Sequence, residues 1–237
     1  IVSTIKGTNE QIKENLIGAG NNVVTVELNQ NGNQYDLSWS PLPDQVRVIS
    51  EDTRKELEEL PGAQQASLFY KRSYSDGLYF QDTAFNGNLL GVDPYYFSTY
   101  GMQIRSGRGF TDKDYSQYRK VVLVDSTAAD SLFSGVNPVG QCLEFGSQVF
   151  TVVGIVGPRE EFTPTINSLN DYYLYANEGS GYVYFPSSVW PTLYQFDEPQ
   201  SVAIKVRNTD VMASVGKDAA DLLTQRQIIG TDTGFDY

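Results

Sequence analysis

Residues 137–156 read Asn137-Pro138-Val139-Gly140-Gln141-Cys142-Leu143-Glu144-Phe145-Gly146-Ser147-Gln148-Val149-Phe150-Thr151-Val152-Val153-Gly154-Ile155-Val156. Cys142–Phe145 and Val149–Val156 are two strands joined across Gly146-Ser147, a glycine-first pair suited to a type II′ turn. Asn137–Gly140 supplies the turn that leads in, with proline fixing φ and Gly140 free to take φ > 0. The alternating run ending at Gly154 packs one face of a sheet and admits a second backbone at the glycine. Just upstream, Arg119–Asp125 (RKVVLVD) is a compact buried strand, and Ser126–Phe133 is a short helix with Ser126 as its cap. The N-terminal part of the chain runs helix–strand–helix–strand–strand, an α+β pattern.

Toward the N-terminus, Asp93-Pro94 starts a short helix with proline at its first position. Residues 64–73 and 77–92 read as strands broken at Tyr74-Ser75-Asp76-Gly77, where Asp-Gly signals a turn. Ser50 caps a helix whose first turn holds Glu51 and Asp52, whose apolar side is Leu57 and Leu60, and which Pro61-Gly62 stops. Asn22–Leu28 is a valine-rich strand followed by a polar loop, Asn29–Asn33, that Pro41 and Pro43 prolong. Ile5, Ile12 and Leu16 place a helix over 1–17, ended at Gly18-Ala19-Gly20. Toward the C-terminus, residues 158–181 lack periodicity and form a long loop. Tyr182–Phe185 and Ser201–Val206 are strands. Asn208 or Thr209 caps a last helix with Val211, Val215, Ala219 and Leu222 on its buried side.

The chain has 237 residues, enough for one large domain or two small ones. Aromatics at 13% and hydrophobics at 40% exclude a disordered chain. Seventeen basic against 29 acidic side chains give a net charge of −12, which argues against nucleic acid or anionic lipid as a partner. There is no histidine and one cysteine, so His-based catalysis, His or Cys-cluster metal sites and an intramolecular disulfide are excluded. No stretch approaches the ~20 apolar residues of a membrane span. The opening Ile1-Val2-Ser3-Thr4 has neither an initiator methionine nor the layout of a signal peptide, which reads as a fragment of a longer protein.

Few residues carry chemistry. No G-x-S-x-G elbow, P-loop or dinucleotide fingerprint is present. Cys142 is expected as a buried structural cysteine. Glu160-Glu161 and Asp112/Asp114 could pair across a cleft for glycoside hydrolysis, although acids this numerous pair on any solvated surface. Asp112-Lys113-Asp114-Tyr115-Ser116 begins like a calcium loop, but Gln117 and Leu123 replace its turn glycine and closing glutamate. The one aromatic concentration is Tyr172, Tyr173, Tyr175, Tyr182 and Tyr184 with Trp190. It is either a contact face for a sugar or protein partner, or the pins of a loop and sheet edge.

Over residues 91–156 the ordered set Gly91-Val92-Asp93-Pro94-Tyr95-Tyr96-Phe97, Gly107-Arg108-Gly109-Phe110, Val121–Val124, Leu132-Phe133, Asn137-Pro138-Val139-Gly140 and Phe150–Ile155 resembles the extracytoplasmic core domain of MacB-type, FtsX-like ABC transporter permeases. The likeness extends more weakly to Gly20–Val26. The resemblance implies an α+β fold in which a β-rich, Sabre-like subdomain (93–198) is inserted into a porter-like α+β subdomain (18–92 and 199–237). Residues 1–17 would be a stalk continuing from a membrane helix. It implies no catalysis and no cofactor in this segment. It also implies a cytoplasmic ATPase subunit or domain, a second permease copy, an adaptor of the membrane-fusion type, and peptide, toxin or lipoprotein cargo. Tyr172, Tyr173 and Tyr175 are the candidate partner-binding residues. The location implied is the outer side of a bacterial cell membrane. The residues alone also admit a surface carbohydrate- or peptide-binding module, or a carboxylate-based hydrolase.

Overall fold

A computed structural model describes residues 22–75, 77–158, 181–230 and 233–237. The expected helix over 1–17 lies outside these residues, as does nearly all of the expected loop 158–181. In chain order the strands and helices are β1 (Val23–Val26), β2 (Asn29–Gln30), β3 (Asn33–Gln34), α1 (Glu51–Glu58), β4 (Ala63–Arg72), β5 (Leu78–Phe80), β6 (Thr83–Ala84) and β7 (Asn88–Val92). There follow α2 (Tyr96–Thr99), β8 (Met102–Gly107), α3 (Asp112–Ser116), β9 (Val121–Val124), α4 (Ser126–Phe133), β10 (Cys142–Phe145) and β11 (Gln148–Pro158). The chain closes with β12 (Tyr182–Pro186), α5 (Trp190–Leu193), β13 (Ser201–Val206), α6 (Met212–Gln227) and β14 (Phe235–Asp236).

One mixed sheet runs β1-β13-β4-β7-β12-β9-β11-β10-β5-β6, with β8 beside the far half of β11. The β7/β12 and β9/β11 pairs are parallel and the rest antiparallel. The fold is α+β, as expected. Register explains how this sheet is buried on both sides. Ala203, Ser67, Phe69, Val92, Leu90, Tyr184 and Leu123 follow one another across the strands on one face. Their apolar members form a core with Tyr96 and Val156. The opposite face divides in two. Ala66, Leu68, Val202 and Ile204 pack under Leu57 of α1 and Val215, Ala219 and Leu223 of α6. Leu89, Phe185, Val122 and Val152 pack under Leu132 and Phe133 of α4 and Trp190 of α5. Strands covered on both faces read as unbroken apolar runs, which is why Val121–Val124 shows no alternation.

Local chemistry sets the elements. Ser50 Oγ accepts the Thr53 amide at 3.1 Å, and acids follow in the first turn of α1. Arg54 of that helix is buried, held by Glu51, Glu58 and the Ala66 carbonyl, and lies 4.2 Å above the Tyr95 ring. Gly146 takes φ +58° at the β10–β11 turn, and Gly140 takes φ +90° after Pro138. Gly154 lies opposite Gly107, where a Cβ on Gly154 would stand 2.5 Å from the Arg108 carbonyl oxygen. The expected backbone approach at Gly154 is therefore present.

Several expectations are corrected. Asn29–Asn33 is not a plain loop: Asn31 (φ 52°) and Gly32 (φ 76°) turn β2 into β3, the Asn-Gly signature of a type I′ hairpin. The cap of α4 is Asp125, whose Oδ1 accepts the Ala128 amide at 2.7 Å, and Ser126 is the first helical residue. The Asp93-Pro94 helix starts later, at Tyr96, because Asp93 Oδ1 accepts the Tyr95 amide and holds a turn first. Thr209–Val211 is a 3-10 turn before the last helix, which starts at Met212; Val215 and Ala219 are buried as expected, with Leu223 beside them and Leu222 partly buried against the same core. Cys142 is exposed, not buried; on β10 it alternates with Leu143 and Phe145, which take the core face.

Asp114 is fully buried, and its carboxylate closes a capping box with Thr111 and accepts Arg108 Nη1 at 2.7 Å. Burial pushes its carboxyl up, but the bonds from Arg108 and Thr111 outweigh that and hold it below the usual value. A depressed folded-state pKa adds stability above the unfolded value near 4 that is lost as pH falls through the folded one. Acid titration of the wild-type fold should therefore lose stability below about pH 4, and Asp114→Asn should flatten that part of the curve. Gly154→Ala should cost about 1–3 kcal/mol in urea denaturation, because the new methyl meets backbone that cannot swing away. Gly109→Ala, whose nearest neighbour would be Ile104 Cδ1 at 3.4 Å, is the control and should stay within about 0.5 kcal/mol.

Candidate functional site

The two cores that share one face of the sheet meet at β4, where Leu68 belongs to one and Tyr70 to the other. The next inward position is Arg72, a charge at the end of a strand whose other inward side chains are apolar. Arg72 is buried and donates to Glu198, itself buried, while Glu198 Oε2 accepts Trp190 Nε1–H at 2.8 Å. The guanidinium also stacks 4.2 Å above the Tyr194 ring. A buried ion pair is tolerated only when its remaining polar atoms are bonded, and here the indole and the Lys71 carbonyl meet that need.

Trp190 is the centre of the junction. On the sheet face beneath it, Gly91 lies between Tyr70 and Phe185 in register. The indole fills the space that glycine leaves: a Cβ on Gly91 would stand 2.6 Å from Trp190 Cε3. Tyr70 stacks on the indole nearly parallel, with ring centroids 5.5 Å apart. Two residues after Glu198, Gln200 ties the cores together. Its Oε1 accepts the Ile49 amide at 2.8 Å, its Nε2 donates to Tyr70 Oη at 3.3 Å, and its carbonyl accepts Tyr237 Oη–H at 3.3 Å. Burial and the charge of Glu198 push the Tyr70 phenol up to about 12, so it stays protonated.

A second buried group, Asp93 just after β7, ties that strand to β4. Its buried carboxylate accepts Ser67 Oγ–H and the Leu68 amide, both at 2.7 Å, and the Tyr95 amide at 3.0 Å. Burial raises its carboxyl above the usual range, more than those three donors pull it down. Glu198 and Asp93 are thus both buried carboxylates that serve structure.

The residues singled out in the sequence fall differently. Tyr172, Tyr173 and Tyr175 lie outside the described residues, as do Glu160 and Glu161. Tyr184 and Trp190 are core residues, while Tyr182 is part-exposed and stacks on Tyr184 at 6.1 Å. Asp112 and Asp114 do not face each other across a cleft; Asp112 is exposed and Asp114 is consumed by Arg108 and Thr111. Among the described residues no group of three or more His, Cys, Asp or Glu side chains could hold a metal ion. Arg72, Glu198 and Gln200 escape a sequence reading because they meet across 126 to 130 residues. The one local signal is an arginine at an inward strand position.

The profile of the MacB-like periplasmic core domain matches residues 1–222. The chain is 27% identical over 230 residues to the uncharacterized ABC transporter permease YvrN of Bacillus subtilis, covering 95% of this chain and 53% of that protein. It thus spans about half the length of that relative. In structure it is similar to the periplasmic region of MacB from Actinobacillus actinomycetemcomitans, with a TM-score of 0.59, 24% identity, and coverage of 91% of this chain and 88% of that one. The extracellular domain of the ABC-type transporter YknZ from Gram-positive bacteria gives a TM-score of 0.57 at 21% identity, covering 85% and 93%. These structural likenesses concern the fold. Together with the profile match across most of the sequence, they place the chain in a family: it belongs to the MacB-like periplasmic core domains of ABC transporter permeases.

Proposed function

We propose that this chain is the extracytoplasmic head of an ABC transporter permease, a non-catalytic part that carries ATP-driven motion across a bacterial cell membrane to cargo. The observation that carries the proposal is the fastening of one continuous sheet. A part that transmits force must move as one piece, and here a sheet continuous from β1 to β6 is locked between β4 and β7 by Asp93 and at the return of the chain by Glu198 with Gln200. In this reading residues 18–92 and 199–237 form the porter-like subdomain, 93–198 form the inserted Sabre-like one, and 1–17 form the stalk. The return of the chain at Glu198–Gln200 lies at the second of these boundaries and supports it. An ATPase subunit or domain supplies the power stroke, a second permease copy pairs with this one, and an adaptor protein receives peptide, toxin or lipoprotein cargo. Tyr172, Tyr173 and Tyr175 are the residues proposed to meet that adaptor or cargo. No helix among the described residues is long and apolar enough to cross a membrane, so in this reading the anchoring helices belong to other parts of the permease.

Exposed Cys142, the one cysteine of this sequence, offers a direct test of location. In intact cells making the full-length permease, a membrane-impermeant maleimide should label Cys142 without permeabilisation, and Cys142→Ser should remove that signal. Labelling that needs lysed cells would place the domain on the wrong side. Transmission is tested at the junction. Glu198→Gln leaves Arg72 buried without its counter-charge, at a cost of about 3–5 kcal/mol. In the reconstituted transporter it should lower export while ATP hydrolysis persists, with the melting point followed alongside to exclude simple unfolding. Export unchanged in a folded variant would sink the coupling role.

A further inference from the structure

Trp39 is 73% exposed, an unusual position for a tryptophan in a well-ordered protein. The loop that carries it is firmly built. The Trp39 and Ser40 amides donate to the Asp36 carbonyl at 3.1 and 3.0 Å, and the Ser38 amide donates to Asp36 Oδ1 at 2.7 Å. Ser73 Oγ–H donates to the other carboxylate oxygen, the Ser73 amide to Ser38 Oγ, and Tyr35 Oη–H to the Pro41 carbonyl at 2.7 Å. Burial pushes the Asp36 carboxyl up, but the donors from Ser73 and Ser38 hold it below its ordinary value, so it accepts these bonds at neutral pH. One face of the Trp39 ring is stacked on Tyr74, with centroids 5.5 Å apart and 26° between the planes. The result is a ring held flat with much of its surface open to solvent.

Beside this pair lies a groove of about 480 Å³, within the range of small-molecule sites. Tyr74 forms one wall, Ser40 and Gln195 edge it, and Arg72 and Glu198 form the floor. Phe196, 77% exposed, follows Gln195 in the chain. The floor charges cancel within their own ion pair, so the groove has no net charge although the chain carries −12. The Ser40 hydroxyl and the Gln195 amide make no hydrogen bond to another described residue, and each can both donate and accept.

We propose that a neutral saccharide binds here, with one sugar ring laid on the open face of Trp39 beside the groove and the next entering the groove, where its hydroxyls bond Ser40 and Gln195. Sugar C–H faces suit flat aromatic rings, and sugar hydroxyls are donors and acceptors at once, matching both edge groups. A proline-rich peptide also suits aromatic grooves, but it presents carbonyl acceptors almost alone and would leave the acceptors of Ser40 and Gln195 unused. The neutral floor gives a cationic or anionic ligand no counter-charge. The rigid loop means that little conformational entropy is lost on binding. This inference stands apart from the transporter reading, since it concerns what the surface binds and not what the head moves.

The two tryptophans make the test direct, because Trp39 is exposed and Trp190 is fully buried. The full chain is titrated with chitotetraose, maltotetraose and cellotetraose, and with a proline-rich decapeptide, while tryptophan emission and acrylamide quenching are followed. One or more of the tetrasaccharides should give a saturable blue shift and protection from quenching, with a Kd of about 1 mM or tighter. Trp39→Ala should weaken binding about tenfold when binding is read by calorimetry, with no change in the unfolding transition. The Ser40→Ala, Gln195→Ala double variant, which keeps both rings, should weaken it as well. No response to any tetrasaccharide overturns the proposal, as does a response to the peptide alone. Saccharide binding that survives intact in Trp39→Ala would also overturn it by moving the site elsewhere.

Discussion

The seat of Trp190 on Gly91 is the constraint on which the rest of the structure depends. A glycine in the middle of a buried strand forgoes side-chain packing, and it is worthwhile only where another group needs that space. Here the group is an indole, the largest side chain in the core, wedged between Tyr70 and Phe185. Its N–H must find an acceptor inside the protein, and Glu198 provides one. A buried carboxylate in turn needs a counter-charge, which brings in Arg72. One packing decision therefore propagates into an ion pair, and the ion pair fixes where the chain returns from the second core to the first.

The same logic appears at Gly107 and Gly154, where the space is taken by backbone. The family motif around these glycines is a description of close approaches, and nothing in it is reactive. Few positions are forced here, and those few are forced sterically.

Legibility from sequence followed the range of the interaction. The cap at Ser50, the Gly146 turn, the run Val121–Val124 and the strands at 182–185 and 201–206 are set by neighbours within a few residues, and all could be read directly. Small misreadings came from adjacent competitors for one role. Asp125 takes the cap from Ser126 because its carboxylate reaches the Ala128 amide, and Asn31-Gly32 makes a hairpin where polarity alone reads as loop. Residue type alone puts Cys142 inside, while the alternation of its own strand puts it outside. The junction at Arg72, Glu198 and Gln200 and the platform of Trp39 on Tyr74 depend on residues brought together from distant parts of the chain. A single sequence carries no local signature for such meetings.

The strand order also governs how the domain can be made. β13 lies between β1 and β4, so among the described residues β1 has no neighbour in this sheet until residues 201–206 exist. The core under α1 and α6 likewise waits for Val215, Ala219 and Leu223. By contrast, the core around Phe133, Phe150 and Trp190 draws all its members from residues 70–190. Non-local pairings of this kind close late and slowly. During synthesis this interior core is thus ready first, while β1 and β4 wait for β13 to come between them.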